Sequence, residues 1–170
     1  MRDTAVVAGG LLAVPRWAGA LSDDAVLRLT ILHTNDTHSR LDPFPMDGGR
    51  NQGLGGVAAR AQLIEQIRAE ADQVLLLDAG DIFQGTPYFN LYKGEPEIKA
   101  LTTMGYDACT LGNHDFDAGL ENLATQLVRH ARFPVLVANY DFSGTPMEFR
   151  TKPWQVFHKG RLKVGVFGLG

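Results

Sequence analysis

The sequence predicts an α/β fold in which short parallel strands alternate with helices, and two observations carry that expectation. Strand-like segments at residues 27–31, 74–77, 108–111 and 135–138 are separated by segments with helical spacing. The first three runs stop at polar or glycine breaks, at Thr34-Asn35-Asp36, Asp78-Ala79-Gly80-Asp81 and Gly112. That order requires right-handed crossovers between neighbouring parallel strands.

The elements follow in order. Leu27, Leu29 and Ile31 alternate with Arg28 and Thr30, a strand pattern. A loop rich in proline and glycine runs from Asp42 to Gly56. Val57, Ala61, Ile64, Ile67 and Ala71 then recur at helical spacing. Residues 74–77 are continuously apolar, as in a strand covered on both faces. Pro87 suits a helix first turn, and residues 95–104 read as a second short helix. Residues 108–111 form a third strand. Residues 120–130 are helical, with Leu120, Leu123, Leu127 and Ala131 on one face, and residues 135–138 form a fourth strand. Residues 154–158 and 161–167 flank Lys159-Gly160 as a hairpin, with Leu162, Val164 and Val166 facing one way.

Composition bounds the function. The chain has 170 residues, the length of one domain, and is 45% hydrophobic and 21% charged, so it can bury a core without disulfides. A net charge of −3 with no block of Lys and Arg argues against a nucleic-acid partner. The lone Cys109 excludes a disulfide framework and a cysteine-rich zinc site, and a buried, inert thiol is the expectation. Residues 5–14 are apolar but fall short of the roughly 20 residues a spanning helix needs. They precede Pro15 and Ala18-Gly19-Ala20, a small-x-small cleavage pattern after Arg2. Residues 1–20 therefore read as an export leader. Its low hydrophobicity resembles a twin-arginine signal without the twin arginines, and a cleaved chain would begin near Leu21. Export to the periplasm or the cell exterior, with no stable membrane span, is the expectation.

Chemistry-bearing residues collect where strands end. Asp36 and His38 follow the first strand, Asp81 the second, and Asn113, His114, Asp115 and Asp117 the third. Parallel strands bring their C-terminal ends to one edge, so these loops can meet. Carboxylate, imidazole and amide oxygen together suit Zn²⁺ or Mn²⁺, and a shared aspartate is what a two-metal site requires. Each fragment alone is weak evidence, because Gly-Asp is common in turns and Asn-His in caps. The ordered conjunction is the signal.

The segments His33-Thr34-Asn35-Asp36-Thr37-His38, Gly80-Asp81-Ile82-Phe83-Gln84-Gly85-Thr86-Pro87 and Leu111-Gly112-Asn113-His114-Asp115-Phe116-Asp117 resemble the calcineurin-like metallophosphoesterases. More narrowly they resemble the bacterial 5′-nucleotidase and UDP-sugar hydrolase branch. The resemblance spans residues 27–170. It implies a layered α/β/β/α sandwich, of which residues 21–170 are the N-terminal half. It implies two divalent ions, with Asp36 and His38 on the first, Asp81 bridging and Asn113 on the second. His114 would contact the transferring phosphoryl group, with Asp117 orienting its imidazole. The implied reaction is hydrolysis of a phosphate monoester, a 5′-nucleotide, by a metal-activated water. Other members act as cyclic-nucleotide phosphodiesterases, UDP-sugar hydrolases or thiosulfohydrolases, and a non-catalytic metal- or phosphate-binding remnant is the alternative of a different class.

The family's further histidine ligands, in a Gly-His-x-His-like segment, have no match here, since no Gly-His dipeptide occurs. His33, His130 and His158 fit packing, helix-end and turn positions instead. Residues 21–170 alone are therefore expected to bind metal weakly and to hydrolyse no ester at a useful rate. Asp78 reads equally as a hydrogen-bond acceptor behind the site or as a turn residue. Gly55-Gly56 reads as helix entry, and Tyr88, Phe89 and Tyr92 as core packing.

Overall fold

The computed structural model describes residues 26–170; the leader expected at residues 1–20 lies outside them. The chain runs β1 (Thr30–Thr34), α1 (Val57–Glu70), β2 (Val74–Asp78), α2 (Pro87–Tyr92), α3 (Glu95–Met104), β3 (Ala108–Cys109), a 3-10 turn (Asn113–Phe116), α4 (Leu120–His130), β4 (Trp154–Lys159) and β5 (Leu162–Phe167). The first three strands form one parallel sheet in the order β1-β2-β3. β4 and β5 form a separate antiparallel hairpin.

β1 begins at Thr30, so the alternation at Leu27 and Leu29 lies ahead of the paired residues. β2 occupies the sheet centre, which is why it is continuously apolar: Leu75 and Leu76 are buried between β1 and β3. β3 is shorter than the strand expected at residues 108–111, although Thr110 N–H still donates to Asp78 C=O at 2.9 Å. The fourth strand expected at residues 135–138 is absent as a regular strand. Its backbone is used piecemeal instead. Leu136 N–H donates to Cys109 C=O at 2.8 Å, Val137 N–H to Lys152 C=O at 2.7 Å, and Ala138 N–H to Gly168 C=O at 2.8 Å. Three different partners in three residues leave only isolated bridges, at Cys109–Val135 and Leu136–Lys152.

The core lies between the parallel sheet and the helices. Ile98, Leu101 and Met104 of α3 and Leu123, Ala124 and Leu127 of α4 pack with Leu76, Cys109, Val135 and Val137. α4 buries the face its spacing predicts, with Leu120 and Ala131 at its margins. α1 buries only Ile64 and holds its end by Arg68, which donates to the carbonyls of Met104 and Gly105 at 2.7 and 2.6 Å. Of the aromatic trio, Phe89 enters the core, while Tyr88 and Tyr92 stack on each other outside it with centroids 6.4 Å apart. Cys109 is buried, and burial pushes its thiol pKa up, which keeps it protonated and unreactive. On the hairpin, Leu162, Val164 and Val166 share the more covered face. Lys159 ties that hairpin to the sheet by an ion pair with Asp107 at 2.6 Å, whose other oxygen accepts the Leu76 N–H at 2.8 Å.

Candidate metal centre

Three loops leave the C-terminal edge of the parallel sheet, and backbone hydrogen bonds zip the first to the second. Asp36 N–H donates to Gly80 C=O at 2.9 Å, His38 N–H to Asp81 C=O at 3.1 Å and Ser39 N–H to Ile82 C=O at 2.8 Å. This pairing holds Asp36, His38, Ser39, Asp81 and Gln84 at positive φ, between 45° and 67°. Left-handed backbone at non-glycine residues costs of the order of 1 kcal/mol each and gathers at sites that need it. The glycines make the approach possible. A Cβ on Gly80 would lie 2.4 Å from the Gly112 nitrogen, and one on Gly112 would lie 2.2 Å from Asp81 Oδ1.

The outcome is a cluster of donors. Ligand atoms of Asp36, His38 and Asp81 all lie within 4.8 Å of one another. His38 Nε2 is 3.8 Å from Asp36 Oδ1 and 4.0 Å from Asp81 Oδ2. His38 Nδ1 faces the Phe83 carbonyl at 3.2 Å, which makes Nδ1 the protonated nitrogen and leaves the Nε2 lone pair directed at the carboxylates. Two carboxylates and an imidazole lone pair converging, with no Lys or Arg ion-paired to them among the described residues, fit a divalent cation in both number and chemistry.

The third loop reaches the same place. The His114 N–H donates to Asp81 Oδ1 at 2.9 Å, which sets Asn113 at the start of its 3-10 turn beside that carboxylate. The His114 ring meets the His38 ring edge-on, with centroids 5.2 Å apart. His114 Nδ1 lies 2.9 Å from Asp117 Oδ2. That hydrogen bond, aided by the charges of Asp117, Asp81 and Asp115, raises the imidazole pKa against a smaller opposing effect of burial. All seven strand-end residues singled out in the sequence therefore stand on the three converging loops.

Other residues hold this arrangement, and the sequence named one of them without its role. Asp115 is buried and accepts four backbone N–H groups: Gly112 at 2.9 Å, Asp81 at 3.0 Å, Ile82 at 2.9 Å and Phe83 at 3.1 Å. It is a clasp between the second and third loops. Its signal was available, since an acidic side chain three residues after a turn-opening residue commonly accepts that residue's N–H. Asp78 proves to be an acceptor as well as the strand end: Thr34 Oγ1 donates to it at 2.5 Å and Gly80 N–H at 3.0 Å. Burial raises its pKa from 3.8 to about 6. Arg40 and Arg60 line a cavity of about 550 Å³ with Asp36, Thr37 and His38, and nothing in their sequence context marks either. Gly56 does serve helix entry, and a Cβ there would fall 2.8 Å from the Pro43 nitrogen and 3.0 Å from the Asp42 carbonyl carbon.

The family model for calcineurin-like phosphoesterases matches residues 29–162, and the chain belongs to that family. A snake venom 5′-nucleotidase from Gloydius brevicauda is 44% identical over 146 residues, covering 82% of this chain and 25% of that protein. The 5′-nucleotidase of Homo sapiens is 42% identical over 148 residues, covering 82% and 26%. Among solved structures, a 5′-nucleotidase precursor from Thermus thermophilus superposes with a TM-score of 0.76 at 42% identity, over 83% of this chain and 28% of that one. The chain thus spans about a quarter of the length of these relatives and corresponds to the N-terminal part of their catalytic domain. The family is one of metal-dependent hydrolases, in keeping with the donor cluster.

Proposed function

We propose that this chain carries the first half of a two-metal centre that hydrolyses 5′-nucleotides. The observation that carries the reading is the convergence of Asp36, His38 and Asp81 within 4.8 Å, with His38 Nε2 turned inward. Nucleotide as substrate class rests on the 5′-nucleotidase relatives.

Asp36 and His38 would hold one ion, Asp81 would serve both, and Asn113 would hold the second. Bound divalent ions supply Lewis-acid charge and activate water at neutral pH. The chain's own residues do the rest. The Asp117 carboxylate accepts from Nδ1 and fixes the His114 ring, which leaves Nε2 as the nitrogen free to meet a substrate. The raised pKa favours the cationic imidazole, in which Nε2–H would also donate, suited to charge on a phosphoryl oxygen. Arg40 and Arg60 add positive charge to the cavity beside Asp36, which favours an anionic ester. Among the described residues no helix is long and apolar enough to cross a membrane. Export of the protein is part of the proposal, resting on the leader-like residues 1–20.

The test is a count of bound ions by anomalous scattering, in parallel with phosphate release from a nucleoside monophosphate. Asp81→Asn should lose both ions and Asp36→Asn mainly one, because a carboxylate shared by two cations screens their repulsion. Two fully occupied ions in the Asp81 variant would overturn the bridging role.

A further inference from the structure

A buried glutamate stands behind the metal ligand His38. Glu97, on the first turn of α3, is 1% exposed, and so is Ser39, the residue after His38. Neither Glu97 oxygen completes a hydrogen bond with a protein group, and neither does Ser39 Oγ. The two side chains nonetheless face each other: the Ser39 hydroxyl opposes the burial that raises the Glu97 pKa. Buried polar atoms held in this way are rare in native proteins and call for a reason.

The same end of α3 meets this loop at a second point. Gly94, which opens α3, lies against the tip of the Phe83 ring; a Cβ there would fall 2.3 Å from Phe83 Cζ. Phe83 is the residue whose carbonyl fixes His38 Nδ1. His38 and Ser39 both sit at positive φ, 45° and 54°, a conformation that needs external support. The support is distributed: Ser39 N–H donates to Ile82 C=O at 2.8 Å and Thr86 Oγ1 to Ser39 C=O at 2.9 Å.

We propose that Glu97 is a positioning residue for His38. Its buried carboxyl group, set against the Ser39 hydroxyl without a completed hydrogen bond, holds the His38–Ser39 backbone left-handed, so that the imidazole keeps Nδ1 on Phe83 and Nε2 facing Asp36 and Asp81. The proposal rests on the reading of His38 as a metal ligand. A neutral carboxamide supplies the same hydrogen-bonding reach, so the role requires polarity and length rather than charge. Burial of the group without a cationic partner favours that neutral form.

The experiment titrates Mn²⁺ and Zn²⁺ calorimetrically into the full chain and into Glu97→Ala, Glu97→Gln and Ser39→Ala, with unfolding midpoints and the His38 ¹⁵N imidazole shifts recorded in parallel. Removal of a group that orients a metal ligand typically weakens metal affinity about 10-fold or more. Glu97→Ala and Ser39→Ala should show that loss, and the His38 shifts should report a mixture of tautomers. Glu97→Gln should restore affinity to within about 2-fold of the starting chain. If Glu97→Ala does not fold, Ser39→Ala and Glu97→Gln carry the test. Unchanged affinity in Ser39→Ala, or a lowered midpoint in Glu97→Gln together with lost affinity, would overturn the positioning role. A His38→Ala variant that binds Mn²⁺ and Zn²⁺ as tightly as the unaltered chain would overturn His38 as a ligand and this inference with it. That outcome is distinct, because it is read with Glu97 and Ser39 unaltered.

Discussion

The Asp115 carboxylate accepts the backbone N–H of Asp81, the residue whose own carboxylate accepts the N–H of His114. The second and third loops are thus laced in both directions, and the central donor of the cluster is held by its backbone and by its side chain at once. Such lacing allows a loop site to keep a fixed geometry on a small sheet.

Asp115→Asn should therefore be costly although the two side chains have nearly the same shape. Four N–H groups now share two anionic oxygens, and an amide offers one oxygen and a misdirected donor. A loss of about 2–4 kcal/mol is expected, since buried donors without acceptors cost about 1–3 kcal/mol each. Urea unfolding of the two proteins measures it directly; a loss below about 1 kcal/mol would show that the loop finds other acceptors.

Gly112→Ala should injure the site without touching the core. The new methyl would stand 2.2 Å from Asp81 Oδ1, so the carboxylate or the loop must move. The expected penalty is about 1–3 kcal/mol, as for other overpacked positions. Metal titration should fall more steeply than the melting temperature. Full metal affinity with an unchanged melting temperature would mean that Asp81 has more room than its contacts suggest.

His114→Ala should separate chemistry from metal binding. The ring touches His38 edge-on and bonds to Asp117 through Nδ1, leaving Nε2 as its outward group. Loss of one preorganised donor to a developing anion typically costs about 100-fold or more in turnover. Metal per chain should remain, and phosphate release should collapse. Equal losses in both would assign His114 to the ligand set.

Asp78 gives a pH signature with a definite sign. Its folded pKa of about 6 exceeds the ordinary 3.8, so between those values the folded chain binds more protons than the unfolded one. Stability from this group is then greatest below about pH 4 and declines as pH rises through about 6. The decline amounts to something on the order of 2–3 kcal/mol. Asp78→Asn removes the titration while keeping an acceptor for Thr34 or Gly80. The stability difference between the two proteins, measured by urea unfolding at about pH 4 and about pH 7.5, should shift in favour of the variant at the higher pH. A constant difference would show that folding leaves the Asp78 pKa unshifted.

By itself, the sequence determined the alternation of strands and helices, the burial of β2 and the three loops that carry the site. These are local or periodic properties: Leu75 and Leu76 sit in an uninterrupted apolar run, Leu123 and Leu127 are four apart, and Asp36, Asp81 and His114 each follow a strand. Parallel pairing then fixes which loops share an edge. Tertiary structure alone decided the rest. Residues 135–138 have a strand's composition, yet Cys109, Lys152 and Gly168 each claim part of their backbone, and no local pattern foretells that. Tyr88 and Phe89 are neighbours of similar kind, and only the helix's seat on the core sends Phe89 inward and leaves Tyr88 bonded to Asp42 at 2.8 Å. The left-handed backbone at His38 and Ser39, the four N–H groups gathered by Asp115 and the burial of Glu97 depend on contacts between segments distant in sequence. Such contacts stabilise conformations that each residue alone would avoid, which is why only the folded chain reveals them.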